Sequence, residues 1–118
     1  MPTAGSLARD DVVTCRLHDS LVAVRGQIES SAYGFALVTT EDGILLGRLR
    51  MSVVRDASSE DTAETAMEPG PSTVRADTLA ADLAGRLATR KLRTAIVSTP
   101  EGRLIGVVKR RDLEQASR

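Results

Sequence analysis

Apolar residues run along the chain in two rhythms, and the pair of rhythms occurs twice. Leu21, Val24 and Ile28 recur at helical spacing and mark one apolar stripe. Two compact apolar runs follow, Phe35-Ala36-Leu37-Val38 and Ile44-Leu45-Leu46-Gly47-Arg48-Leu49, flanking the polar triplet Glu41-Asp42-Gly43. Further on, Leu79, Leu83 and Leu87 draw a second stripe. Ala95-Ile96-Val97 and Arg103 to Val108 then flank Pro100-Glu101-Gly102. A glycine closing a short polar turn between apolar runs predicts a β-hairpin, because glycine takes a positive φ at little cost. Short extended entries precede each helix, Val12 to Cys15 and Ser72 to Arg75. Polar helices close each copy, Met51 to Ala57 and Arg110 to Ala116. The chain therefore reads as β-α-β-β-α, twice.

A shift of 59 residues superposes the copies from Thr14 to Val54 without a gap. Thr14 meets Thr73, Arg16 meets Arg75, Gly26 meets Gly85, Ala36 meets Ala95, and Val38 meets Val97. Thr40 meets Thr99, Gly43 meets Gly102, Leu45 meets Leu104, and Gly47 meets Gly106. The matches fall on turn glycines and core positions. One slip of a residue is expected at the helix starts, where Asp19-Ser20-Leu21 resembles Asp77-Thr78-Leu79. Ser20 and Thr78 are the expected N-caps, their hydroxyls accepting from first-turn amides. Residues 1–57 read as the first repeat, 58–71 as a polar linker and 72–118 as the second repeat. The acids and small polar residues from Asp56 to Pro71 carry the linker reading.

Composition narrows the chemistry. Lys plus Arg equals Asp plus Glu at sixteen each, so no overall field draws nucleic acid or an anionic membrane. One Tyr, one Phe and no Trp leave little for stacking single-stranded bases. No apolar run approaches the length of a membrane span. With one cysteine, Cys15, no intrachain disulfide forms, and a cytoplasmic location is expected. Cys15 reads as a small buried hydrophobe, and His18 has no second ligand at metal spacing. A single histidine and no nucleophile–base or paired-carboxylate pattern argue against an enzyme.

Element order, repeat length and motif resemble the CBS domain in its tandem arrangement, the Bateman module. The resemblance covers about Leu7 to Gln115 and is clearest in "MEPGPSTVRADTLAADLAGRL" and "EGRLIGVVKRRDL". It implies an α/β fold of two β-α-β-β-α repeats about a pseudo-twofold axis. It also implies a regulatory module that takes an adenine nucleotide or adenosyl ligand, with AMP, ADP, ATP, NAD and S-adenosylmethionine as the class. The family pattern of Gly, two apolar residues, Thr or Ser, two variable residues and Asp meets Gly106 to Asp112 here. Asp112 would then accept from both ribose hydroxyls. Thr73 and Val74 would lie beside the base. Lys109, which stands where the family has Thr or Ser, would face the phosphates together with Arg111 and Arg93.

The first repeat departs from the pattern. Val53 stands at the Asp position and Arg50 at the Thr position, so at most one ordinary site per chain is expected. Plainer readings remain open: Asp112 as a helix-start acid favoured by the macrodipole, the basic triplet as a solvated face, Thr73 as a strand end. A ligand-free dimerisation module with decayed sites is the alternative function. Either way the resemblance implies a homodimer through a helical face, with Leu7, Val12 and Met51 to Val54 as contributors.

Overall fold

The computed structural model describes residues 1–118. In chain order the elements are α1 (Ala4–Leu7), β1 (Val13–Cys15), α2 (Leu21–Glu29), β2 (Phe35–Thr39), β3 (Leu45–Arg50), α3 (Met51–Val54), α4 (Ala63–Ala66), β4 (Glu68–Pro69), β5 (Thr73–Val74), α5 (Ala80–Thr89), β6 (Thr94–Ser98), β7 (Leu104–Lys109) and α6 (Arg110–Ala116). They form two compact units. One is Val12–Pro71, and the other combines Met1–Asp11 with Ser72–Arg118. Both repeats are therefore present with the expected order of elements.

Within Val12–Pro71, β1 runs parallel to β2, and β3 and β4 continue the sheet antiparallel, in the order β1-β2-β3-β4. Alternation along the strands sends Cys15, Ala36, Val38 and Leu49 to the face that packs on Leu21, Val24 and Ile28 of α2 and Val54 of α3. In the other unit β5 runs parallel to β6, and β7 pairs antiparallel with β6. Ala95, Val97 and Val108 meet Ala80, Leu83, Ala84 and Leu87 of α5 and Leu113 of α6. Leu7 and Met51, expected at a dimer face, pack against the cores of their own units, and Val54 lies within one. Val12 is likewise buried. Of that expected surface, Val53 is the exposed large apolar side chain.

The hairpins are copies of one another at the atomic level. Gly43 and Gly102 take φ of 87° and 90°. Thr40 and Thr99 each bracket the turn: the hydroxyl accepts from Ile44 N–H at 3.1 Å or Arg103 N–H at 3.0 Å, and the backbone pairs close at 2.9 Å. That double role explains why this threonine recurs in both repeats.

The helix starts differ from the expected caps. Neither Ser20 nor Leu79, the residues at the two N-cap positions, makes a side-chain capping bond, and Thr78 lies one residue outside. Backbone carbonyls of a distant segment take over. Leu21 N–H donates to Asp61 O at 3.0 Å, and Ala80 N–H donates to Pro2 O at 3.0 Å. In return Ala63 N–H reaches Asp19 O at 3.0 Å, and Ala4 N–H reaches Thr78 O at 2.8 Å. Ser20 and Leu79 stand 59 residues apart, so the expected one-residue slip is absent. The shared turn before each helix, Asp19 N–H to Arg16 O and Thr78 N–H to Arg75 O, both at 3.2 Å, keeps the same offset.

These donors and acceptors reveal that each repeat begins earlier than its periodicity shows. Thr3-Ala4 matches Thr62-Ala63, and α1 matches α4. The segment read as a linker, 58–71, holds α4 and the edge strand β4, both packed within the Val12–Pro71 unit. Met1–Asp11 belongs with Ser72–Arg118 and not with the repeat it precedes. Each leader crosses a strand glycine. A Cβ on Gly106 would lie 2.9 Å from Arg9 C, and one on Gly47 would lie 2.9 Å from Glu68 O.

The same substitution should therefore act with opposite signs at two glycines of one repeat. Gly106→Ala is expected to destabilise by about 1–3 kcal/mol, since backbone must shift to admit the methyl. At mid-helix Gly85 a Cβ meets nothing within 4 Å. Gly85→Ala should stabilise by about 0.8–1 kcal/mol. Urea melts of the two variants check both signs.

Candidate functional site

The residues singled out in the second repeat come from three elements of one sheet and the helix that follows it. Parallel pairing of β5 with β6, and antiparallel pairing of β6 with β7, bring the starts of β5 and β6 and the end of β7 to one edge. Arg93 immediately precedes β6. Lys109 ends β7, opposite Thr94. The chain turns at once into α6, and the turn is pinned to the start of β6: Arg110 N–H donates to Arg93 O at 2.8 Å. This bond holds Arg93, Lys109 and the first turn of α6, with Arg111 and Asp112, at one corner.

Asp112 is half-buried, as is Lys109, while Arg93 and Arg111 are exposed. Arg110 pairs with Glu114 one turn along, Nε to Oε1 at 3.4 Å, and so is directed away from Asp112. Thr73 and Val74 lie on the outer strand of the same sheet, level with Ile96 and Val97. They stand a little further in than the corner formed by the other four. Thr73 is exposed and Val74 half-buried. What the corner offers is one carboxylate among several cations, beside an apolar strand edge. That combination suits a ligand with a hydroxyl pair, a flat apolar part and an anionic tail.

One residue escaped the sequence reading. Arg9 joins the free edge of β7 through a two-way bridge, its N–H to Val107 O and Val107 N–H to Arg9 O, both at 2.9 Å. The leader thus adds a further cation beside the strand that ends in Lys109. The signal that could have found it is the match of Thr3-Ala4 with Thr62-Ala63, which falls ahead of the obvious repeat.

The corresponding corner of the first repeat is built differently. Arg50 ends β3, and its Nε donates to Glu68 Oε1 at 2.6 Å; Arg48 Nε lies 3.8 Å from the same oxygen. The Arg48 guanidinium sits 5.9 Å from the Phe35 ring, which is tilted 46° to Tyr33. Burial lowers the pKa of Arg48, Arg50 lowers it further, and Glu68 acts in the opposite sense. Val53, at the position of Asp112, is 45% exposed and offers no polar atom on its side chain. Here the strand-end cation is already held by a carboxylate.

Elsewhere the chemistry is sparse. No three His, Cys, Asp or Glu side chains come together to hold a metal ion. A shallow groove on α5 is lined by Ala81, Asp82, Gly85, Arg86, Thr89 and Arg90, none of them among the candidate residues. Cys15 is buried, and burial, with a smaller effect of the Asp19 carboxylate, pushes its thiol from 9.0 up to about 11. An unfolded thiol ionises near its ordinary value, whereas the folded one keeps its proton until about 11. Folding stability should therefore fall as pH rises above about 9. Urea melts of wild type and Cys15→Ala at several pH values between 8 and 11 should show a steeper alkaline loss for wild type.

Comparison with known proteins adds the following. The sequence profile of the CBS domain family matches residues 63–118. No curated protein matches the chain significantly. Among solved structures, the cytosolic domain of the Mg2+ channel MgtE in complex with ATP superposes with a TM-score of 0.85 at 24% identity. That match covers 98% of this chain and 48% of that one, so the chain spans about half its length. The CBS domains of a transcriptional regulator from Streptococcus pneumoniae superpose with a TM-score of 0.84 at 20% identity, over 98% of both chains. CBSX2 in complex with AMP gives 0.81 at 18% identity, over 99% of this chain and 96% of that one.

Proposed function

Because this is a CBS-domain protein, with the fold of CBS pairs, we propose that it is a ligand-sensing regulatory module and not an enzyme. It binds an adenine nucleotide or adenosyl compound in one site, in the second repeat, and relays occupancy to a partner protein through its shape. The observation that carries the reading is the contrast between the two strand-end corners. In the second repeat a half-buried carboxylate, Asp112, stands with Lys109, Arg93 and Arg111. In the first, Val53 replaces the acid, and Glu68 occupies the cation Arg50. Structural neighbours in complex with ATP and AMP support the ligand class.

In this reading Asp112 accepts hydrogen bonds from the ribose diol, and Thr73 and Val74 flank the base on the outer strand. Lys109, Arg93 and Arg111 compensate the charge of the phosphates. The protein works as a homodimer in the cytoplasm, where its single buried thiol stays reduced. The outward faces of α2 and α5 are the surfaces for dimerisation, since Gly26 and Gly85 leave room there that the chain itself does not fill. The absence of a helix able to cross a membrane is compatible with this setting.

A thermal-shift screen with AMP, ADP, ATP, NAD and S-adenosylmethionine tests the reading. A ligand at a hundred times its dissociation constant should stabilise the fold by about 2.7 kcal/mol. No shift with any of the five would leave the ligand-free interaction module as the function. With the ligand the screen selects, Asp112→Ala should lose roughly ten- to a hundredfold in affinity, as expected for a charged hydrogen-bond partner. Val53→Ala should bind as wild type does. Calorimetric titration of both variants separates the repeats, and the opposite pattern would move the site to the first.

A further inference from the structure

The two units are close copies in backbone but opposite in charge. The unit of Met1–Asp11 and Ser72–Arg118 holds eleven of the sixteen Lys and Arg residues and seven of the sixteen Asp and Glu residues. The remaining unit has the reverse excess. The difference is sharpest where the leaders meet the strand ends. Glu68 is in register with Arg48 on β3, and Arg9 is in register with Val107 on β7. Arg50 and Lys109 each lie two residues further along the strand. They are on the same face as that partner and diagonal to the leader residue.

The first repeat shows that this diagonal is short enough for contact, because Glu68 Oε1 and Arg50 Nε are 2.6 Å apart. The same two positions in the second repeat hold Arg9 and Lys109. An acid that holds the strand-end cation in one copy is replaced by a second cation in the other. The acids after Arg9 do not reverse this. Pairing with β7 is antiparallel, so Asp10 and Asp11 run toward Gly106 and Ile105, away from Lys109. Arg9 is exposed, and its place is fixed by main-chain bonds that its side chain does not make. Two cations held side by side on paired strands repel each other, and a multiply charged anion relieves that repulsion.

We propose that Arg9, delivered by the leader to the end of β7, is a specificity-determining residue that makes the second-repeat site select a nucleoside polyphosphate over the uncharged nucleoside. The inference rests on the nucleotide reading of that site and adds to it the charge class of the ligand and a residue outside the repeat motif. Arg9 and Lys109 bracket the outer phosphates, while Asp112 remains with the ribose. Affinity accordingly rises from adenosine through AMP and ADP to ATP.

Calorimetric titration with adenosine, AMP, ADP and ATP tests this on wild type, Arg9→Glu, Arg9→Lys and Arg16→Glu. The last makes the same change in net charge at an exposed residue of the other unit. Arg9→Glu should weaken ATP roughly tenfold or more and leave adenosine within about twofold, flattening the series. Arg9→Lys should keep the ATP preference, and Arg16→Glu should bind ATP as wild type does. The inference is overturned if Arg9→Glu leaves ATP binding unchanged or weakens adenosine equally. It is also overturned if Arg16→Glu weakens ATP as much, which would make the effect one of overall charge. A wild type that binds adenosine and ATP equally well keeps the nucleotide reading and removes the selection. A wild type that binds none of the four removes both. Far-ultraviolet circular dichroism and urea melts of each variant separate loss of binding from loss of fold.

Discussion

Everything in this fold hangs on how the first-turn amides of α2 and α5 find acceptors. An unpaired helix start buried against a core costs more than either short repeat could bear. The chain solves this with peptide carbonyls brought from far along the sequence, at Asp61 and Pro2. Reciprocal bonds from Ala63 and Ala4 then give the four-residue helices α4 and α1 a reason to exist, since helices that short do not persist alone. Ala4 and Ala63, each wholly buried, plug the cores they reach. Gly47 and Gly106 follow from the same arrangement, because a leader that comes close enough to bond leaves no room for a side chain beneath it.

One scaffold, used twice, is thereby free to differ in its chemistry. The turn threonines, hairpin glycines and leader bonds repeat almost atom for atom. The strand-end residues do not: Arg50 with Glu68 in one copy, Lys109 with Arg9 in the other. An internal ion pair closes the first corner, and its aromatic neighbours Phe35 and Tyr33 pack around Arg48. Charge left without an internal acid beside it marks the second corner as the one arranged for something external. The proposed asymmetry of function is carried by a handful of side chains on an otherwise symmetric frame.

Most of the frame was legible in the sequence because its signals are local. Periodicity placed α2 and α5, and Gly43 and Gly102 placed the hairpins. The recurrence of both at a fixed offset gave the repeat. The leaders were hidden for physical reasons. Each is a single turn of helix and a residue or two of strand, too short for any periodicity, and Asp56 to Pro71 has the composition of a loop. Their structure comes from long-range backbone pairing, which leaves no mark on side-chain pattern. The caps failed for the same reason: Ser20 and Thr78 look like N-caps, but a main-chain acceptor had already taken the position. The candidate site was legible as far as its residues follow the strand motif, from Gly106 to Asp112. Arg9 arrives through the leader and was invisible to that motif.

The interleaving of the two units also bears on the order in which the molecule can assemble as it leaves the ribosome. Residues 12–71 make a contiguous unit, and all of its pairings can close before β6 and β7 exist. The other unit must join the two ends of the chain, since Arg9 pairs with Val107 across nearly its whole length. Until β7 is made, Met1–Asp11 has no edge to join and α1 no helix start to bond. The first eleven residues are thus synthesised first and fixed last, at a point when one finished unit already tethers them close to their destination. Closing that long loop then costs far less entropy than it would in a fully unfolded chain.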